Sequence, residues 1–304
     1  MPEWEADIEV DEALVRALIA EQFPRLDARS VRLVGEGFDN SVWLIDEEWA
    51  FRFPRRANAV HLVSRELDVL PRLAPMLPIP VPVPAFVGTP SARFERPFFG
   101  HRLLPGCEPA YLTLTDDDRV LLGSQLGRFL RALHAPEMRA LVDPADALPV
   151  DPNRRADMPA RVQIARRWLG ELASLERLRT ARQVDVLFEA ALELPPADGD
   201  AVVHGDLHSR HVLVDGATLS GVIDWGDVCR ADPAVDLALV WSFLPAAGRQ
   251  AFAREYGSIG EAQALRARVL ALALCAALAS YGTHVGNASL VRESVDGLER
   301  TLVG

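Results

Sequence analysis

The chain contains no lysine: all 32 of its basic residues are arginine. That absence excludes any mechanism built on a side-chain amine, whether a Schiff base or a phosphate-loop lysine. Cysteine is nearly as scarce. Cys107, Cys229 and Cys275 are widely spaced and form no CxxC pair, which argues against a disulfide framework and against a cysteine zinc site, and suits a cytoplasmic setting. No uninterrupted apolar run approaches the length of a membrane span. The N-terminal MPEWEADIEVDE is acidic and has no apolar signal core, so export is not expected and no membrane partner is implied. Positive charge is in deficit, with 43 acidic residues and a net charge of −11. An acidic chain is a poor candidate for nucleic acid and a plausible host for a cationic ligand, although an acidic balance also serves solubility. Internal repeats and low-complexity tracts are missing as well.

What is present is an ordinary globular composition, 49% hydrophobic and 25% charged over 304 residues, enough for one large domain or two small ones. Leu14, Val15, Leu18, Ile19 and Phe23 recur at helical spacing behind acidic residues, so residues 11–23 should form a helix that ends before Pro24. Residues 30–54 are rich in β-branched and aromatic side chains and break at Gly35–Asn40 and at Asp46–Glu48, which predicts three consecutive antiparallel strands. The first break, Gly35-Glu36-Gly37-Phe38-Asp39-Asn40, is a GxG loop. A dinucleotide-binding loop would open a helix and carry a third glycine where Asn40 stands. A glycine loop between antiparallel strands suits a flap laid over phosphates, or a bare hairpin turn.

Residues 59–73 carry an amphipathic helical pattern with Glu66 at mid-helix. Prolines at every second position from Pro78 to Pro84 predict an extended connector, and strand-like pieces follow at 85–88 and 97–104. Helices are then expected at 115–134, 161–172, 182–194, 233–243, 246–256, 261–281 and 290–302, with 136–158 as loop. Residues 265–278 are apolar nearly all round and should be buried. The pattern is that of an α+β chain in two parts: a small strand-rich part over residues 1–104 and a larger, mainly helical part over 105–304 with a small β-unit embedded in it.

That β-unit lies in residues 201–241, AVVHGDLHSRHVLVDGATLSGVIDWGDVCRADPAVDLALVW. Two apolar runs flank a turn at Asp215-Gly216, with His204, Asp206, His208 and His211 before them and Asp224 and Asp227 after. On a helix, His204, His208 and His211 would share a face, as in a zinc hydrolase. Val202-Val203 favour a strand, Gly205 weakens a helix, and no glutamate follows His204. Phosphoryl transfer accounts for more of the residues. It needs a carboxylate at the acceptor hydroxyl, magnesium on the phosphates and a cation beside them. Asp206 can supply the first, and Asp224 with His211 can bind the metal.

HGDLHSRHVLVD, IDWGD and ADPAVDLA resemble the catalytic loop, metal-binding motif and following helix of the aminoglycoside phosphotransferases, antibiotic kinases with a protein-kinase-like fold. Upstream, GEGFDN resembles the nucleotide flap, FRFP the third strand, SRELDVL the lobe-bridging helix and FFGHRLLPG the hinge. The resemblance implies a two-lobed fold, with a small antiparallel-sheet nucleotide-binding lobe and a larger helical catalytic lobe. It implies an enzyme that uses Mg²⁺ and ATP or GTP, working as a monomer or weak dimer. Asp206 would deprotonate the acceptor, and His211 and Asp224 would hold the metal. Gly35, Gly37, Phe38 and Asn40 would lie over the nucleotide. Arg52, paired to Glu66, would replace the usual strand lysine, and His101, Arg102 and Leu104 would surround the base. His204 and Asp236 would brace the catalytic loop. His211 stands where most such folds have asparagine. The aminoglycoside 2″-phosphotransferases and macrolide phosphotransferases are similar here, also carrying histidine, so His211 points to that branch. The implied acceptor is a cationic small molecule, foremost an aminoglycoside, with Asp227, Asp232 and Glu255 as candidate contacts. A macrolide, a metabolite alcohol, or nucleotide binding without catalysis are the alternatives.

Overall fold

In the computed structural model, which describes residues 7–37, 39–173 and 181–303, the chain divides into two compact units. The first comprises Met1–Pro75 and Pro80–Leu104, and the second Met76–Ile79 and Pro105–Gly304.

The first unit opens with α1 (Glu12–Gln22), capped by the Asp11 carboxylate on the Leu14 N–H at 2.7 Å. Its buried face is Val15, Leu18 and Ile19. Three strands follow, β1 (Val31–Glu36), β2 (Asn40–Ile45) and β3 (Trp49–Pro54), then helix α2 (Val60–Leu73), then β4 (Pro84–Gly88) and β5 (Phe98–Arg102). They form one antiparallel sheet in the order β1-β2-β3-β5-β4. The prolines ahead of β4 keep that segment extended, as their fixed φ requires. Phenylalanines fill the space under the sheet: Phe53 stacks on Phe98 at 4.7 Å, and Phe94 meets both edge-on. The backbone of β5 must approach this cluster closely. A Cβ at Gly100 would lie 2.5 Å from the Phe51 ring, so only glycine fits there.

The second unit is mainly helical. It begins with α3 (Asp116–Leu133), whose first turn is closed by a capping box between Thr115 and Asp118, an arrangement that satisfies two orphan N–H groups at once. Next come α4 (Pro136–Val142), α5 (Met158–Ala173) and α6 (Ala181–Leu192). Helix α4 corrects the expectation of loop over 136–158. Pro136 sits at its first turn, where a missing N–H costs nothing, and Met138 and Val142 bury one face. The central stretch holds β6 (Ala201–Val203), β7 (Val212–Asp215), β8 (Thr218–Val222) and β9 (Cys229–Ala231). Strands β7 and β8 form the expected hairpin, and β6 pairs antiparallel with β9. Helices α7 (Ala234–Phe243), α8 (Ala246–Tyr256), α9 (Glu261–His284) and α10 (Ala288–Leu302) complete the unit.

Helix α9 is long and apolar enough, by length and composition alone, to cross a membrane, although Arg266 and Arg268 interrupt its apolar run. Its apolar surface is used inside the unit: Val269, Leu270, Leu272 and Ala276 are buried in the core shared with α5, α6 and α7. A helix that packs on several sides is apolar all round for that reason.

Candidate active site

The centre of the second unit is built from three short turns that follow β6, precede β7 and follow β8. The first is fixed from beneath. Asp236, fully buried in the first turn of α7, accepts from the backbone N–H of His204 at 2.7 Å and of Gly205 at 3.0 Å, and faces His134 Nε2 at 3.1 Å. A buried carboxylate with three donors is satisfied and holds the turn rigidly. Gly205 is obligatory in it. Its φ is +88°, and a Cβ there would lie 2.2 Å from the Asp227 carbonyl oxygen.

The histidine protons follow from their partners. The His204 Nδ1 accepts from the Asp206 N–H at 3.3 Å, so Nε2 carries the proton and donates to the Ile223 carbonyl at 3.0 Å. Burial lowers the pKa of His204, which keeps it neutral. His211 has the opposite tautomer. Its Nδ1 lies 2.8 Å from the Asp206 carbonyl oxygen and must donate, which leaves the Nε2 lone pair facing Asp224 Oδ2 at 3.5 Å. The Ile223 N–H in turn donates to the His211 carbonyl at 2.9 Å. The three turns are thereby laced together through Ile223. Asp224 itself has φ +66°, in the left-handed region, a strained setting that native proteins concentrate at functional positions.

These donors decide how a cation could be held. His211 and Asp224 fit: the imidazole spends its N–H on the backbone and offers the other nitrogen, as metal-binding histidines do. Asp206, His208 and His211 also place ligand atoms within 4.8 Å of one another. In that group His208 fits poorly. Its Nδ1 accepts from the Arg210 N–H at 3.3 Å, so its Nε2 holds the proton and cannot donate a lone pair. Burial is the main reason its pKa lies well below the ordinary value, with the charge of Arg210 acting the same way. The zinc-hydrolase pattern has no support here, because residues 201–203 are strand and 209–211 a single 3₁₀ turn.

Asp206 is held by a residue that sequence reasoning did not single out. One nitrogen of Arg155, Nη2, donates to Asp206 Oδ1 and to Asp227 Oδ2, both at 2.9 Å. Burial opposes the charge on Arg155, and the two carboxylates outweigh it, raising the guanidinium pKa. The Asp151 carboxylate accepts from the backbone N–H groups of Arg155 and Ala156 at 2.7 and 2.8 Å and fixes the loop that carries the arginine. A sequence signal was available only as an Arg-Arg pair in an Asp-rich loop. Arg155 lies 51 residues from Asp206, and nothing local reveals the contact. Asp206 also lies on the wall of a cavity of about 170 Å³ within this unit.

The three acids named as substrate contacts are otherwise engaged. Asp227 accepts from Arg155 and, at 3.2 Å, from Asn153. Asp232 is buried, caps α7 through the Ala234 N–H at 2.8 Å, and accepts from Gln263 at 3.0 Å. Glu255 pairs with Arg128 at 3.0 Å on the far end of α8.

In the first unit, the Arg52 Nη1 on β3 donates to Glu66 Oε1 on α2 at 2.8 Å, both side chains being buried. Gly35 resumes the pairing of β1 with β2 after an irregularity between Leu33 and Gly35, and the Gly37 N–H closes a turn onto the Asn40 carbonyl at 2.8 Å. The glycine loop is a hairpin turn in form. Phe38 lies outside the described residues. His101 on β5 is buried and donates Nδ1–H to the Arg102 carbonyl at 2.9 Å. Burial lowers its pKa to about 4. The Arg102 side chain pairs with Glu48 at 3.1 Å. Leu104 is half-buried at the end of the unit.

Residues 30–272 match the model of the phosphotransferase enzyme family. Over 55 residues the chain is 51% identical to the viomycin phosphotransferase of Streptomyces vinaceus, a match spanning 17% of this chain and 19% of that protein. The chain thus aligns with about a fifth of that relative's length. Among solved structures, the GDP complex of an aminoglycoside 2'-phosphotransferase of type IIIa superimposes with a TM-score of 0.71 at 21% identity, over 97% of this chain and 99% of that one. A macrolide 2'-phosphotransferase from Brachybacterium faecium gives 0.63 at 23% identity, over 95% and 98%. The two-part α+β architecture is the kinase-like fold of these structures.

Proposed function

Since this chain belongs to the phosphotransferase enzyme family, we propose that it moves the γ-phosphoryl group of ATP or GTP to a hydroxyl of a small molecule in a Mg²⁺-dependent reaction. One observation carries the reading: Asp206 is locked by Arg155 through Oδ1, its Oδ2 stays apart from that bond, and the His211–Asp224 donor pair stands beside it. The acceptor oxygen attacks the γ-phosphorus as its proton passes to the Asp206 carboxylate. The bond from that phosphorus to the bridging oxygen breaks, and the electron pair leaves with the nucleoside diphosphate. Magnesium, held by His211 and Asp224, would neutralise charge on the phosphate oxygens. Imidazole is a softer ligand than this ion usually takes, so Asp224 supplies the hard contact. Arg52, a planar donor fork kept in place by Glu66, would grip the phosphates where a lysine is absent from the chain. The backbone around Arg102 and Leu104 would hold the base, and the flap at Gly35, Gly37 and Asn40 would lie over the phosphates. Because ATP and GTP are cytoplasmic nucleotides, we place the protein in the cytoplasm.

The names of the solved neighbours support an aminoglycoside as the first acceptor to test. A macrolide, the acceptor named for another solved neighbour, is the second to test. A nucleotide-consumption screen, run separately with ATP and GTP across aminoglycosides, macrolides and sugar alcohols, tests the proposal. Turnover that Asp206→Ala abolishes supports it. Magnesium-dependent nucleotide binding with no turnover on any acceptor would mean a nucleotide-binding protein without catalysis. Retained turnover in Asp206→Ala would remove Asp206 from the chemistry.

A further inference from the structure

The cavity at Asp206 has a charge balance that does not match a polycationic ligand. Ile164 and Trp168 of α5 form one wall, Ala273, Leu274 and Ala277 of α9 another, and Leu207 lies beside the catalytic turn. The charged residues on its surface are Arg155, Arg161 and Asp206. None of Asp227, Asp232 and Glu255 lines it. The two arginines differ. Arg155 is neutralised by the two carboxylates it bridges. Arg161 donates Nε to the Arg154 carbonyl at 3.0 Å and Nη2 to the Asn153 carbonyl, and among the described residues it forms no ion pair with a carboxylate. Burial, and next the nearby charge of Arg155, lowers its pKa, against the smaller opposing pull of Asp151 and Asp157. Neither acid forms an ion pair with it, and with Nε and Nη2 given to carbonyls its Nη1 is left for a carboxylate arriving along the apolar wall.

We infer that the acceptor enters this cavity as an alcohol with a compact apolar body and a carboxylate that pairs with Arg161. The inference rests on the phosphotransferase reading above and names its substrate class. Size points the same way. At about 170 Å³ the cavity lies below the ~300–1,000 Å³ usual for drug-sized ligands, so it suits one ring or a short branched chain. A carboxylate is preferred to a phosphate because a second dianion close to the transferred phosphoryl group would add like-charge repulsion. The ammonium groups of an aminoglycoside would meet Arg161 there, while the carboxylate on the cavity surface, Asp206, is already paired with Arg155.

Titration calorimetry on the full chain tests this with phenyllactate, its methyl ester and kanamycin as probes. Phenyllactate is expected to bind, with the ester weaker by about 10-fold or more, the loss of one charge-assisted contact. Arg161→Met should weaken phenyllactate to the level of the ester and leave the ester unchanged. Ala277→Phe, which fills the cavity from the α9 side, should abolish both. Equal binding of acid and ester, or an acid affinity unmoved by Arg161→Met, overturns the pairing. Binding that survives Ala277→Phe overturns the cavity. Nucleotide consumption separates the two levels. Transfer to kanamycin with no phenyllactate binding keeps the phosphotransferase reading and overturns this one. Arg161-dependent binding of phenyllactate without consumption of either nucleotide leaves the carboxylate site standing while the phosphotransferase reading falls.

Discussion

Each unit sets an arginine against carboxylate, and the two do so differently. In the first, Arg52 meets Glu66 at 2.8 Å with both side chains buried. In the second, one nitrogen of Arg155 is divided between Asp206 and Asp227, and both acids keep about a quarter of their side-chain surface exposed. The enclosed pair fixes the position of a cation. The divided one fixes the position of an anion and leaves part of its charge unspent, which suits the proton acceptor proposed for Asp206. Removing a partner should therefore cost stability in the first unit and rate in the second.

The largest effect should come from Glu66→Ala. It takes the carboxylate away from the buried Arg52 charge, and breaking such a pair typically costs about 3–5 kcal/mol. Urea unfolding of the variant should show this, and an unchanged midpoint would erase the contrast. Acid comes next. His101 is held neutral, its pKa lowered by burial to about 4 from 6.5. A lowered folded-state pKa means stability that is complete above about pH 6.5 and is lost as pH falls toward 4, up to about 3 kcal/mol. His101→Phe should flatten the urea midpoint over that window. His204 and His208, lowered mainly by burial as well, should leave a residual slope of the same sign.

For rate, Asp206→Ala should reduce kcat by at least ~10²-fold, with little change in the KM for nucleotide. Arg155→Met should cost less, about 10-fold in kcat, because it loosens the orientation of the carboxylate and leaves the acceptor of the proton in place. The smallest effect belongs to Glu255→Gln. The Arg128–Glu255 pair is substantially exposed, and such pairs are worth about 0–1 kcal/mol. A large loss of activity in this variant would support Glu255 as an acceptor contact.

How legible these features were depended on how local their causes are. The hairpin β7–β8 has its turn, Asp215-Gly216, and its alternation within a dozen residues, and the sequence announces it. The helices with a clear apolar face, such as α1 and α2, are legible for the same reason. Helix α4 was missed because proline and aspartate dominate its surroundings, and a two-turn helix has too few positions to show a period. Strand β9 was missed because three residues become a strand only by pairing with β6, some thirty residues away. Among site residues, Asp206, His211 and Asp224 could be named because their motifs are contiguous. Arg155 could not, since its partners lie 51 and 72 residues distant. The roles offered for Asp232 and Glu255 came from charge alone. The structure gives both of them partners that charge counting cannot see.

Trp225 follows Asp224 directly in the chain. Its ring is fully buried, lies 4.7 Å from His204 and 6.2 Å from Phe129, and is pinned by its N–H to the Val222 carbonyl at 2.9 Å. An indole held that firmly, one peptide bond from the residue that would take the metal, is a natural optical gauge. Seating of a cation at Asp224 should register in the near-ultraviolet circular dichroism of the unlabelled protein. Trp225→Phe should silence the signal while the other tryptophans remain. The event least visible to an activity assay, occupation of the metal position before any acceptor arrives, can then be followed by light alone.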